Sequence, residues 1–248
     1  MSDNFKLLKD ICIAHGFKQK KHSFFRVYGD GVLQVLKYEF KARPFWSERI
    51  WLGLFSMYGE LPKQCFSNAG CIPRYDTRYI KIPKWQRCTP FNSPAPQAQI
   101  YQLQDLDETL VFHLDVTEIE TDILPFLNRV DSQKQLCVGL DYLERQSFPV
   151  IPQSKNEYFR WNDFEKFAPF LAAEFYEEAE HTICAILAQH QAATTAKSID
   201  CISQSQEDLE LHQKLAMVQQ RNIPAIQDYL HNNLELSRLY ASKAGLLR

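Results

Sequence analysis

The stretch GFKQKKHSFFRVYGDGVLQVLKYEF, residues 16–40, holds a helix stop, a strand, a turn and a second strand in unbroken order. Gly16 stands where a left-handed stop is wanted, after residues 3–15. In these, Phe5, Leu7, Leu8, Ile11 and Cys12 make an apolar stripe and Ser2 or Asp3 supplies a cap. Phe17 falls where a side chain folds back onto the last helical turn. Residues 22–28 then read as a strand, Gly29-Asp30-Gly31 as a turn tolerant of positive φ, and residues 32–40 as the returning strand. In that strand Leu36, Tyr38 and Phe40 share one face and Lys37 and Glu39 the other, which predicts a sheet covered on one side. The fold class that follows is α+β: an N-terminal helix plus a mainly antiparallel sheet, followed by a helical C-terminal part.

Outward from this hairpin, residues 50–58 are apolar on both faces and read as a central strand. Residues 59–73 have turn chemistry throughout, and residues 74–82 return to alternation, with Tyr75, Thr77 and Tyr79 on one face. A Pro-rich stretch, 89–99, precedes a short candidate strand at 100–103. From Asp105 the period changes to that of a helix, marked by Leu106, Leu110, Leu114, Ile119 and Ile123, which Pro125 is expected to kink or end. Asp131-Ser132 starts another helix to about residue 145. Residues 146–161 read as a linker between a 1–145 α+β domain and a 162–248 helical region packed on it. A capping box at Asn162 to Glu165 opens a helix to about Gln191 that Pro169 is expected to break near its start. Two more helices follow near 205–220 and 224–243, the second with Pro224 in its first turn.

Among 248 residues, 45% hydrophobic and 23% charged, there are 17 Phe and 11 Tyr, enough burial for the chain to fold without a partner. No apolar run approaches the roughly 18 to 20 residues of a membrane-spanning helix. The N-terminus has no apolar signal core, and seven cysteines without regular spacing fit reduced thiols, so the expected setting is soluble and cytoplasmic. The net charge of −2 hides a split: residues 1–87 carry 16 Lys and Arg against 7 Asp and Glu, and residues 88–248 carry 12 against 23. Internal complementation between the halves is the favoured reading; the other is a basic face and an acidic face for partners of opposite charge.

Catalytic signatures are missing from the sequence. Eight glycines provide neither a dinucleotide fingerprint nor a phosphate-binding loop, and neither a Gly-x-Ser-x-Gly elbow nor a His-Glu-x-x-His pair occurs. Cys65, Cys71 and Cys88, with His113 downstream, lack the close pairing of structural zinc ligands and read as buried or loop-packing thiols. Glu178 and His181 have the Glu-x-x-His spacing of di-iron helices, echoed by Asp228 and His231, but His181 lies opposite the apolar stripe of Leu171, Phe175, Ala179 and Ile186 and belongs on a solvated face. No cofactor and no metal is expected.

Two surfaces remain as candidates. The acidic one comprises Asp115, Glu118, Glu174, Glu177, Glu178 and Glu180, suited to a basic protein partner. The basic one comprises Lys18, Lys20, Lys21, Arg74, Arg78, Lys84 and Arg87, with Arg26 and Lys81, interleaved with Phe24, Tyr75, Tyr79 and Trp85, a mixture used to bind single-stranded nucleic acid. A pI near 6.4 speaks against the second. A metal-dependent enzyme is the remaining alternative.

Gly16-Phe17-Lys18, Phe24-Phe25-Arg26, the Gly29-Asp30-Gly31 turn and Val32-Leu33-Gln34-Val35-Leu36 together resemble the opening of a family of uncharacterised bacterial domains, in which a helix ending in Leu-Pro-Phe, here Leu124-Pro125-Phe126, comes later. The resemblance covers about the first 130 residues. This chain has Lys37-Tyr38-Glu39 where the family usually has Asn-Phe-Gln. Some members resemble, by context, immunity proteins that neutralise toxins. The resemblance therefore implies a non-enzymatic bacterial protein with a cognate toxin as partner.

Overall fold

The computed structural model describes residues 3–41, 47–61, 63–66, 75–76, 116, 119–147, 163–196 and 201–247. It is an α+β fold, a helix and an antiparallel sheet followed by helices. Helix α1 (Asp3–Ala14) buries Phe5, Leu8, Ile11 and Cys12 and ends at Gly16, φ 82°, with Phe17 N–H bonded back to the Cys12 carbonyl at 2.9 Å. Strands β1 (Lys18–Lys20), β2 (Ser23–Tyr28), β3 (Val32–Lys41), β4 (Ser47–Ser56) and β5 (Tyr75–Asp76) pair in chain order, each antiparallel to the next. β1 is not foreseen by the alternation: a three-residue strand carries too little pattern, and Lys21, φ 52°, turns it back into β2. Of the strand expected at 74–82, two residues pair with β4, and residues 77–82 lie outside the described ones.

The sheet is covered on both faces, not one. Phe24, Val32, Leu36, Tyr38, Ile50, Leu52 and Leu54 face α1 and the helices α2 (Leu124–Arg129) and α3 (Gln133–Ser147). Phe25, Leu33, Val35, Phe55 and Met57 face the other way, onto Leu234, Ala241 and Leu246 of the C-terminal helix and its cap, with Cys65 and Phe66 of a short 3-10 turn. Alternation fails because Val32 to Leu36 are all buried; the one-sided pattern holds only beyond Leu36, where Lys37 and Glu39 are half-buried.

Pro125 begins α2, following a wide turn at Ile119–Ile123, rather than ending a helix there. The remainder of the helix expected from Asp105, the strand expected at 100–103 and most of the 146–161 linker lie outside the described residues. Ser132 caps α3, accepting from the Gln135 N–H at 3.3 Å. Among the described residues four helices follow: α4 (Asp163–Ala172), α5 (Tyr176–Ala196), α6 (Cys201–Gln219) and α7 (Ile223–Lys243). The expected break at Pro169 is displaced: Pro169 sits inside α4, and the chain turns at residues 173–175. Asn222 caps α7 through the Ala225 N–H, with Pro224 in the first turn. Among the described residues no helix is long and apolar enough to cross a membrane.

Two polar clusters lock the layers together. The Arg26 guanidinium, 8% exposed, donates to the Gln34 oxygen, the His15 carbonyl and the Asn128 oxygen, and lies 4.5 Å from the Phe17 ring centroid and 4.3 Å from that of Tyr28. Gln34 donates in turn to the carbonyls of Leu127 and Val130. The second cluster holds the hairpin turn: Asp30 N–H donates to the Asp131 carbonyl at 2.6 Å, Gln133 to the Asp30 carbonyl, Ser56 to Gln133, and Tyr58 to the Asp30 carboxylate. Gly29, φ 52°, permits this approach: a Cβ there would sit 1.8 Å from the Asp131 carbonyl oxygen.

Candidate functional site

Four of the described helix ends share one design, in which the second residue past the helix takes a left-handed φ and the next N–H reaches back to the last turn. After α1 and α7 that residue is a glycine, Gly16 and Gly245, φ 82° and 70°. After α4 it is Glu174, φ 62°, and after α6 it is Arg221, φ 46°. At the α4 end, Glu174 N–H bonds the Leu171 carbonyl at 3.0 Å, and Phe175 N–H bonds the Phe170 carbonyl at 2.8 Å. The Phe170 and Phe175 rings close beside each other, centroids 6.4 Å apart. This apolar clasp fixes the corner although its left-handed residue carries a side chain.

The corner presents Glu174, Glu177 and Glu178, all exposed. Glu177 and Glu178 lie in the first turn of α5, where the partial positive charge of the helix N-terminus favours them. Glu174 lies outside the helix, two residues before α5, so the three acids gather like charge around one corner of the chain without sharing one helical face. Among the described residues none of the three has a hydrogen-bonded or ion-paired side-chain partner. The Glu178 charge reaches inward: burial, and after it this charge, helps push the Cys137 thiol up to about 12. Glu180 stands apart from the others, half-buried and accepting from Gln219 at 2.9 Å. Asp115 and Glu118 lie outside the described residues.

His181 is exposed one turn beyond Glu177, and Asp228 and His231 are exposed as well, so neither Glu-x-x-His pattern turns into a bundle interior. Among the described residues no three His, Cys, Asp or Glu side chains stand close enough to share a metal ion. Cys65 is buried against the α7 side of the sheet; Cys71, Cys88 and His113 lie outside the described residues.

The basic surface divides. Arg26, expected as a surface cation, is buried in the core cluster, because its strand partner Gln34 and two carbonyl-bearing segments complete its hydrogen bonds. Phe24 is fully buried, as alternation predicts. Lys18 donates to the Gly245 carbonyl at 3.1 Å, closing the end of α7. Lys20 is half-buried and Lys21 exposed at the β1–β2 turn. Arg74, Arg78, Lys84 and Arg87 lie outside the described residues, as do Lys81, Tyr79 and Trp85. Lys214, a cation of the acidic half, pairs with Glu60, an acid of the basic half.

The excess of acid in the second half of the sequence points to the three acids of the corner, but not to the conformation of Glu174. Sequence reasoning also passes over Gln34, whose signal is a polar residue inside an otherwise apolar run, and over Glu60, Lys214 and Tyr229, which come together only in the folded chain. Compared with known proteins, the chain matches no family model, no curated protein and no solved structure.

Proposed function

We propose that this chain is a non-catalytic protein-binding protein that holds a basic partner on the corner formed by Glu174, Glu177 and Glu178, and that the partner is a toxin it neutralises, in the manner of an immunity protein. The supporting observation is the left-handed Glu174, φ 62°. Two helix ends of the same design carry glycine there, the relaxed choice. Arg221, the fourth case, leans toward the Tyr176 ring, 5.9 Å to its centroid, whereas the Glu174 carboxylate is unpaired among the described residues. A side chain kept in a strained conformation on an exposed corner, beside two like charges, serves something other than stability. Three unscreened carboxylates attract a Lys- and Arg-rich surface, speed the encounter and disfavour acidic competitors.

The test is co-expression with the product of the neighbouring gene, followed by co-purification and an assay of protection from that product. A stable complex and protection are expected, both lost when Glu174, Glu177 and Glu178 are changed together to lysine. Absence of both complex and protection with the unaltered chain would overturn the reading.

A further inference from the structure

A cavity of about 260 Å³ opens where the three hydrophobic clusters of the protein meet, beneath the turn that follows β4. Its walls are apolar: Leu54 from the sheet, Leu140 from α3, Phe167 from α4, Ile183 and Ile186 from α5, and Leu211 from α6. At its polar edge the Lys214 ammonium contacts the Glu60 carboxylate at 2.5 Å, and the Tyr229 hydroxyl donates to the same Glu60 oxygen at 3.0 Å. The cavity opens to solvent at this edge, so its apolar walls face water until an apolar body covers them. One of about 150 Å³ already takes benzene, so this one has room for a body of roughly ten carbons.

The polar edge decides which head group fits. Lys214 is the deeper partner, its side chain 21% exposed, while Glu60 is 57% exposed on the turn after β4. Glu60 can therefore swing into solvent at little cost, and Lys214 cannot. Once it does, the Lys214 ammonium and the Tyr229 hydroxyl, which share one Glu60 oxygen, are left free at the cavity edge, the pair of donors that a carboxylate accepts. Burial, then the neighbouring Glu60, pushes the Tyr229 ionisation upward, so the phenol remains a donor across the neutral range.

We propose that this cavity binds a small amphiphilic carboxylate, an apolar body of roughly eight to ten carbons ending in a carboxylate that takes the place of Glu60 on Lys214 and Tyr229. Glu60 is then a tethered competitor for the site, and removing it strengthens binding. The site is separate from the Glu174 corner and stands or falls independently of partner binding.

Calorimetric titration of the full chain with decanoate, below its micellar range, is the test, with decylamine and decan-1-ol as controls. Saturable one-to-one decanoate binding is expected, at least tenfold tighter than decylamine. Lys214→Met is expected to weaken it at least tenfold and Glu60→Ala to tighten it several-fold. Ile183→Trp, which fills the cavity, is expected to abolish it, and Ile186→Phe serves the same purpose if that variant does not fold. Absence of saturable decanoate binding overturns the proposal, as does decylamine binding equally well, or decanoate binding that Lys214→Met leaves unchanged or Glu60→Ala weakens.

Discussion

Arg26 and Gln34 stand opposite each other in the register of β2 and β3, and the guanidinium donates twice to the one amide oxygen, at 2.9 and 2.6 Å. The amide nitrogen of Gln34 then spans to the Leu127 and Val130 carbonyls at the end of α2. One side-chain pair thus ties the sheet to α2, and, through the His15 carbonyl and the Phe17 ring, to the end of α1. Gly16, Phe17, Arg26, Gln34 and the segment after Leu124-Pro125-Phe126 meet at this junction, which gives them a structural task.

Gln34→Leu keeps the volume but removes the acceptor of the Arg26 Nε–H and the donor to the Val130 carbonyl, while Arg26 retains the His15 carbonyl and Asn128 and the Leu127 carbonyl retains the Val130 N–H. A loss of about 3 kcal/mol in urea unfolding is expected. A loss under about 1 kcal/mol would mean that the junction relaxes without it.

Gly29→Ala and Gly245→Ala separate two causes of glycine use. Both positions have positive φ, but at Gly29 a Cβ meets the Asp131 carbonyl oxygen at 1.8 Å, whereas nothing lies within 4 Å at Gly245. The first variant is expected to lose about 3 kcal/mol and the second about 1 kcal/mol. Equal losses by thermal or denaturant unfolding would assign both glycines to backbone conformation alone.

Alkaline pH should destabilise the protein. Burial pushes the Cys12 and Cys137 thiols from an ordinary 9.0 up to about 12, and burial with the Asp30 hydrogen bond pushes Tyr58 from 10.0 up to about 12. The unfolded chain releases these protons near their ordinary values while the folded chain retains them, so stability is fully present below about pH 9 and declines toward pH 12. Urea midpoints across this range are the measurement, and Cys12→Ala with Cys137→Ala should flatten the decline. A pH-independent midpoint between pH 9 and 11 contradicts the assignment.

Glu174→Gly should raise stability by roughly 0.5 kcal/mol, since relief of the left-handed strain outweighs the added freedom of the unfolded chain. The same variant should weaken partner binding. A destabilised Glu174→Gly protein would show that the glutamate is there for the fold.

The legible parts of the sequence are those where one residue dictates local geometry. Gly16, the Gly29-Asp30-Gly31 turn, the Ser132 cap and Pro224 mark element ends through their own backbone preferences, and the structure has its ends there. The α4–α5 corner is misplaced onto Pro169 because proline is the expected breaker, and a left-handed glutamate leaves no trace in composition. The burial of Arg26 is hidden for a related reason: a cation in an alternating strand reads as exposed until Gln34, Asn128 and the His15 carbonyl converge on it. In the candidate site, Glu174, Glu177 and Glu178 are visible as part of the acid excess after residue 87. Glu60, Lys214 and Tyr229 have no pattern to read, since they sit on a turn and two helices far apart in the chain.

The account stands most directly on the affinity of the purified chain for the product of its neighbouring gene, measured at two ionic strengths with the unaltered protein and with the Glu174, Glu177 and Glu178 to lysine variant. The expected result is tight binding by the unaltered chain, weakened at high salt and reduced at least a hundredfold by the charge reversal, with the variant's fold intact by circular dichroism. Equal affinity of the two proteins at low salt would contradict the assignment of the acidic corner.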